Sequence, residues 1–275
     1  MSTEQFYRDL ATRHRLFYAD WHGFLRLESV WLHTLFRPLG VQNVLDCTCG
    51  IGTQAIALAQ QAYHVTACDL SEANLAEAQS NADELDLTVL WQQADVRHLD
   101  EASLDGPFDA VISLGNSLSH LLTEDDMIAA LRHMVDHAKP GGLVLVGQRD
   151  WDAIAVERPH FHFRHEHPDT PAPGRRTVLF DLWHYDDPLV TFEVFFLTGP
   201  SASSSSHSFS SPSEGEAGRG SEEAGRGWAT EVFPLRYRMW QRKELVELME
   251  QAGLADVHKV ECDWELRLAA ARPKH

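Results

Sequence analysis

A chain of 275 residues, 44% of them apolar, is long enough for one large α/β domain with a sizeable core. Acidic residues outnumber basic ones 41 to 23, a formal charge of −18, and no basic stripe is visible, so nucleic acid is not an expected partner. No apolar run approaches the roughly 18 residues of a membrane span. Residues 1–15 lack a secretory apolar core, and Cys47, Cys49, Cys68 and Cys262 form no disulfide-like framework, so a cytoplasmic, reducing setting is expected.

Residues 1–40 read as a helical arm, with Phe6, Leu10, Leu16 and Phe17, then Phe24, Leu27, Trp31 and Leu35, at helical spacing. A βαβ pattern follows over 41–150. Residues 43–47 form a first strand, and a helix runs through Ala55, Ile56, Leu58 and Ala59. Residues 64–68 form a second strand, and Ser71 caps a helix running to about Leu85. Residues 88–92, 108–114 and 143–148 are three more strands. A helix at 125–137 precedes the last and is closed by the turn Lys139-Pro140-Gly141-Gly142. This alternation predicts a doubly wound, parallel α/β sheet.

Over 151–240 the pattern becomes antiparallel, with strands at 177–185, 189–198 and 230–239, an insertion after strand five. Residues 201–227 are rich in Ser, Gly and Glu and are expected to be a disordered loop between two of these strands. Over 241–275 a helix at 242–252 stops at Gly253, and strands near 257–262 and 265–269 complete the core sheet.

The segment Val44-Leu45-Asp46-Cys47-Thr48-Cys49-Gly50-Ile51-Gly52-Thr53 joins the first strand to its helix. Gly50 and Gly52 let the backbone approach a ligand with no Cβ between. Asp69 ends the second strand, where a carboxylate can accept from both ribose hydroxyls of an adenosyl group. Thr48 takes the first glycine position of a dinucleotide fingerprint and no third glycine follows, which favours S-adenosylmethionine (SAM) over a dinucleotide. Asp95, in Ala94-Asp95-Val96, can meet the adenine amino group. Leu70, Val96 and Leu114 are expected beside the cofactor. Cys47 and Cys49 have no second pair and lack four-ligand zinc spacing, so they read as small residues at a tight turn.

Residues 15–190 resemble the glycine N-methyltransferases and the bacterial glycine/sarcosine N-methyltransferases. The resemblance lies in Leu114-Gly115-Asn116-Ser117-Leu118-Ser119-His120-Leu121, in Pro140-Gly141-Gly142, and in Gln148-Arg149-Asp150-Trp151-Asp152, where Trp151 replaces the family's usual tyrosine. It implies a Rossmann-like class I methyltransferase sheet, SAM as cofactor, and a small amine or amino acid as acceptor. It places carboxylate binding on Asn116 and Arg149, with Ser117 and His120 in the same segment. It also implies that the N-terminal arm covers the cofactor, with Tyr18, Trp21 and Arg26 near the methionine end.

Several alternatives stay open at this level. Arg149 could pair with Asp150 or Asp152 instead of a ligand, and His120 could serve the acceptor or a loop carbonyl. The run His160-Phe161-His162-Phe163-Arg164-His165-Glu166-His167 could line the pocket mouth, and no metal is expected there. The acceptor could be another small molecule with an oxygen or nitrogen nucleophile, or the chain could bind SAM without catalysis. Oligomeric state is not readable.

Overall fold

The structure is a computed structural model and describes residues 3–201 and 227–274. Its core is a seven-stranded sheet, order β10-β11-β5-β4-β1-β2-β3. The strands are β1 (Asn43–Asp46), β2 (His64–Asp69), β3 (Leu90–Gln93), β4 (Phe108–Ser113), β5 (Ala138–Gln148), β10 (Ala255–Val260) and β11 (Leu266–Ala271). β1 to β5 run parallel, while β11 is antiparallel to β5 and to β10. The expected doubly wound α/β class is therefore the observed one.

Strand alternation sends side chains to two cores. Val44, Ala110, Ile112, Leu145 and Ala269 face α2 (Trp21–Phe36) and α3 (Thr53–Ala59), joined by Leu75 of α4 (Glu72–Asp83). Leu45, Val111, Val144, Val146 and Leu268 face α5 (Glu124–His137) and α7 (Arg242–Gln251). Both faces are covered, so the strands read as continuous apolar runs. Helix starts follow the sequence: Ser71 accepts from the Asn74 N–H at 3.3 Å and Thr123 from the Asp126 N–H at 3.2 Å.

A second sheet, order β6-β7-β8-β9, is wholly antiparallel. It comprises β6 (Phe161–Pro168), β7 (Arg175–Asp186), β8 (Leu189–Pro200) and β9 (Ala229–Arg238), and follows the short helix α6 (Trp151–Glu157). Its inner face packs Trp183, Phe192, Phe196 and Phe233 around Phe6 and Leu10 of α1 (Thr3–Leu10), so the N-terminal segment lies between the two sheets. The expected loop at 201–227 falls almost wholly outside the described residues, but its flanks β8 and β9 are paired, Thr198 opposite Ala229.

Two local readings need correction. The arm is not continuously α-helical: residues Ala11–Phe17 form 3-10 turns, and α2 buries Trp21, Leu25, Leu32 and Phe36 rather than Phe24 and Leu27. Lys139-Pro140-Gly141-Gly142 is not a free turn. It belongs to β5, Gly141 takes φ +77°, and its N–H donates to the Arg272 carbonyl at 2.8 Å.

Candidate active site

The order β4-β1-β2 places the point where the chain reverses its winding at the carboxyl ends of β1 and β4, where open α/β sheets bind ligands. A cavity of about 470 Å³ opens there, lined by Tyr18, Thr48, Gly50, Asp69, Leu70, Asp95, Val96, Leu114, Ser117 and His120. Asp69 organises it. Its Oδ2 accepts from the Gly50 N–H at 2.8 Å, and its Oδ1 from the Ser71 N–H at 2.9 Å and Asn74 Nδ2 at 3.2 Å. Burial pushes this carboxyl up, and those three donors hold it back. Asp95 also lines the cavity, but Arg97 closes on both of its oxygens, with Nε at 3.0 and 3.1 Å.

Four residues expected on the cofactor lie off the cavity wall. Arg26 is exposed on the outer side of α2, 3.7 Å from Asp20, because the helix turns its Trp21–Leu25–Glu28 face inward. Trp21 is core: its indole donates to Thr53 Oγ1 at 3.4 Å, and the Arg15 guanidinium stacks 4.3 Å over it. Asp46 is buried behind the turn, with Oδ1 accepting from the Thr48 N–H at 3.4 Å and Oδ2 unpartnered among the described residues. Burial raises its carboxyl to about 7. Gly52 shapes the turn instead of touching the ligand space: φ is +86°, and a Cβ there would lie 2.9 Å from the Trp91 ring.

A second cavity, about 610 Å³, adjoins the first, and Tyr7, His14, Tyr18, Gln54 and Gly115 line both. Asn116 and Arg149 meet on its wall. Asn116 takes φ +73°, and its Oδ1 accepts from the Arg149 N–H at 3.1 Å and Ser119 Oγ at 3.0 Å. Those contacts fix the amide, leaving Nδ2 buried beside the Tyr237 hydroxyl, with no hydrogen bond of ordinary geometry among the described residues. Arg149 lies over Trp183 and Phe192, centroids 5.7 and 5.4 Å away, with Nε likewise unpartnered. The ion-pair alternative does not occur: Asp150 caps α6 through the Ala153 N–H at 3.1 Å, and Asp152 accepts from the Arg242 N–H at 3.0 Å. Burial lowers the Arg149 pKa, the direction expected of a desolvated cation.

His120 Nε2 lies 2.7 Å from the Tyr7 hydroxyl, and its ring lies 4.5 Å from that of Tyr237. Burial pushes His120 down to about 3, so the imidazole is neutral near pH 7. Ser117 Oγ donates to the Leu114 carbonyl at 3.2 Å.

No motif marks Tyr7, His14 or Tyr237, which chain folding brings in from α1, the 3-10 turn and β9. Arg164 was within sight in the histidine run. A β-bulge between Phe163 and His165 turns Arg164 and His165 inward together, which strict alternation forbids. Arg164 Nε then donates to both oxygens of buried Asp181, at 2.8 and 3.0 Å, on the cavity wall. His165 and His167 approach the Leu16 carbonyl at 2.6 and 2.9 Å and fasten the N-terminal segment. Among the described residues no group of three or more His, Cys, Asp or Glu is placed to hold a metal ion.

Comparisons with known proteins agree with this geometry. Residues 44–142 match a family model described as a methyltransferase domain. A glycine/sarcosine N-methyltransferase of Parasynechococcus marenigrum is 34% identical over 135 residues, 49% of this chain and 48% of that one. Human glycine N-methyltransferase is 31% identical over 153 residues, 51% of this chain and 52% of that one. The chain thus spans about half the length of the curated relatives it matches. An S-adenosylmethionine-dependent methyltransferase from Clostridium acetobutylicum superimposes with a TM-score of 0.69 at 14% identity, covering 98% of each chain. Residues 44–142 thus match a methyltransferase domain, and the chain has the fold of the SAM-dependent methyltransferases.

Proposed function

We propose that the protein is a SAM-dependent N-methyltransferase whose acceptor is a small amine bearing a carboxylate, of the glycine or sarcosine type. The observation that carries this reading is the Arg149 guanidinium, which faces the larger cavity with no carboxylate partner among the described residues, beside the Asn116 Nδ2 donor. A planar fork of this kind can pair both oxygens of a carboxylate. The names of the two relatives above point the same way.

The smaller cavity fits SAM. The glycine turn leaves room for close approach, Asp69 stands at the end of β2, and Leu70, Val96 and Leu114 supply apolar walls. SAM carries an already activated methyl group on a sulfonium, so transfer to an amine is an in-line displacement that needs no enzyme nucleophile. The chain's own task is then placement. Arg149 and Asn116 hold the acceptor's carboxylate, and such positioning supplies up to roughly 7–11 kcal/mol. The amine must be neutral to react, and the Arg149 and Arg164 guanidiniums on the same cavity wall disfavour a cation beside them. Tyr7, held by neutral His120, presents its hydroxyl where the two cavities meet and can accept a hydrogen bond from the amine.

A second reading keeps the cofactor and enlarges the acceptor. The larger cavity, at about 610 Å³, is of the size that takes drug-sized ligands. A panel of amino acids, aminated sugars and hydroxylated aromatics, assayed with SAM for S-adenosylhomocysteine release, separates the two. Turnover confined to acceptors lacking a carboxylate refutes the first reading.

A further inference from the structure

Helix α2 carries a carboxylate inside its buried stripe. Leu25, Glu28 and Leu32 follow at helical spacing and all are buried, Glu28 with 0% exposure. Glu28 Oε1 accepts from Gln54 Nε2 at 3.3 Å, from the Trp264 indole at 3.2 Å and from the Arg267 guanidinium. Its Oε2 has no hydrogen-bond partner among the described residues. Glu265 takes the other side of Arg267, Oε2 accepting from Nε at 2.9 Å, while its Oε1 accepts from the Gly115 N–H at 2.7 Å. Both glutamates line the larger cavity.

One guanidinium thus serves two buried carboxylates, and Arg267 is held between Trp31 and Trp264, 4.1 and 5.4 Å from the ring centroids. A buried carboxylate left without a cationic partner is costly to keep charged, and this cluster sets two carboxylates against one guanidinium. Burial pushes the Glu265 carboxyl up and the neighbouring Glu28 adds to the effect. The Arg149 and Arg164 side of the same cavity has the opposite imbalance, two guanidiniums against the single carboxylate of Asp181. The cavity therefore presents both signs to one ligand.

We propose that Glu28 and Glu265 form an ammonium subsite, completed by a ligand –NH3+ group. Their partners Gln54 and Gly115 line both cavities, so the subsite lies at the junction. The ammonium belongs either to the methionyl end of SAM or to a nitrogen of the acceptor other than the one methylated. Both sources rest on the methyltransferase reading.

Calorimetric titration of wild type, Glu28→Gln and Glu265→Gln with S-adenosylhomocysteine and with 5′-methylthioadenosine, which lacks the amino-acid end, tests the first source. Loss of roughly tenfold to a hundredfold in affinity for S-adenosylhomocysteine alone assigns the subsite to the cofactor. Kinetic constants for 2,4-diaminobutyrate against 2-aminobutyrate test the second. A shrinking of that preference by a similar factor, with cofactor affinity intact, assigns it to the acceptor. Glu265→Gln keeps an oxygen for the Gly115 N–H and serves if Glu28→Gln does not fold. Folded variants whose two ratios stay within about twofold of wild type overturn the subsite. Wild type that binds no S-adenosylhomocysteine overturns the methyltransferase reading instead.

Discussion

Replacing Arg149 with Met removes a guanidinium that lies against the stacked Trp183 and Phe192 rings and has an unpartnered Nε among the described residues. Two cation–π contacts are lost, about 0.5–1 kcal/mol each. Against this, a desolvated donor without a partner is removed, worth about 1–3 kcal/mol, and Met fills much of the space. Nearby Arg164, which repels Arg149, is also relieved. The net expectation runs from a loss of about 1 to a gain of roughly 2 kcal/mol in unfolding free energy. Acceptor use should collapse. A carboxylate that loses two charge-assisted hydrogen bonds loses about 3–6 kcal/mol, which is roughly a hundredfold to ten-thousandfold in kcat/KM. The Asn116 carboxamide is held by the Arg149 backbone N–H, so it stays in place in the variant. Urea denaturation measures the first quantity, initial rates with the preferred amino acid the second, and S-adenosylhomocysteine titration checks that the cofactor cavity is intact. A variant destabilised by more than about 1 kcal/mol, or one with kcat/KM within about threefold of wild type, refutes the reasoning.

Gly52→Ala should destabilise by about 1–3 kcal/mol, because φ is +86° and the new Cβ meets Trp91, Ala78 and Ile56 at 2.9–3.1 Å; a thermal midpoint equal to wild type would contradict this. Arg164→Ala leaves Asp181 buried and unpaired and should cost about 3–5 kcal/mol, whereas Arg164→Met combined with Asp181→Leu should recover most of it in the same melt. Asp46→Asn tests the raised carboxyl. Its folded pKa of about 7 lies above the unfolded value, so in wild type its favourable contribution is full below about 4 and is lost as pH rises through 7. The stability difference in favour of the amide should grow by about 2 kcal/mol between pH 5 and pH 7, and a constant difference would refute the shift. His120, pushed down to about 3, has the opposite sign: its contribution is lost as pH falls from 6.5 toward 3. His120→Gln should therefore flatten the acid side of the stability curve.

The order of elements from β1 to β5 and the position of the glycine turn were legible in the residues, because each depends on short-range rules. Buried parallel strands must be apolar, a chain passing a ligand at φ > 0 needs glycine, and Ser71 announces the helix it caps. Asp69 was read from the same kind of rule, as a carboxylate ending β2, whereas Asn116 and Arg149 were singled out by the resemblance to the glycine N-methyltransferases. Trp21 and Arg26 also came from the resemblance, and neither lines the cofactor cavity. Helical spacing shows that a stripe exists, but which of two adjacent stripes turns inward depends on what the helix packs against.

Tertiary structure alone decided the rest. Whether Arg149 meets Asp150 or an open cavity depended on where the α6 cap sends Asp150. The inward turn of Arg164 required a bulge that only the pairing of β6 with β7 defines. The Tyr7–His120 contact spans 113 residues, and the Glu28–Arg267 pair spans 239. Sequence periodicity extends over a few turns or one strand, whereas a site assembled from distant segments is set by which surfaces must be buried together. That is a property of the whole chain, and so the charges that line the larger cavity come together only once it is folded.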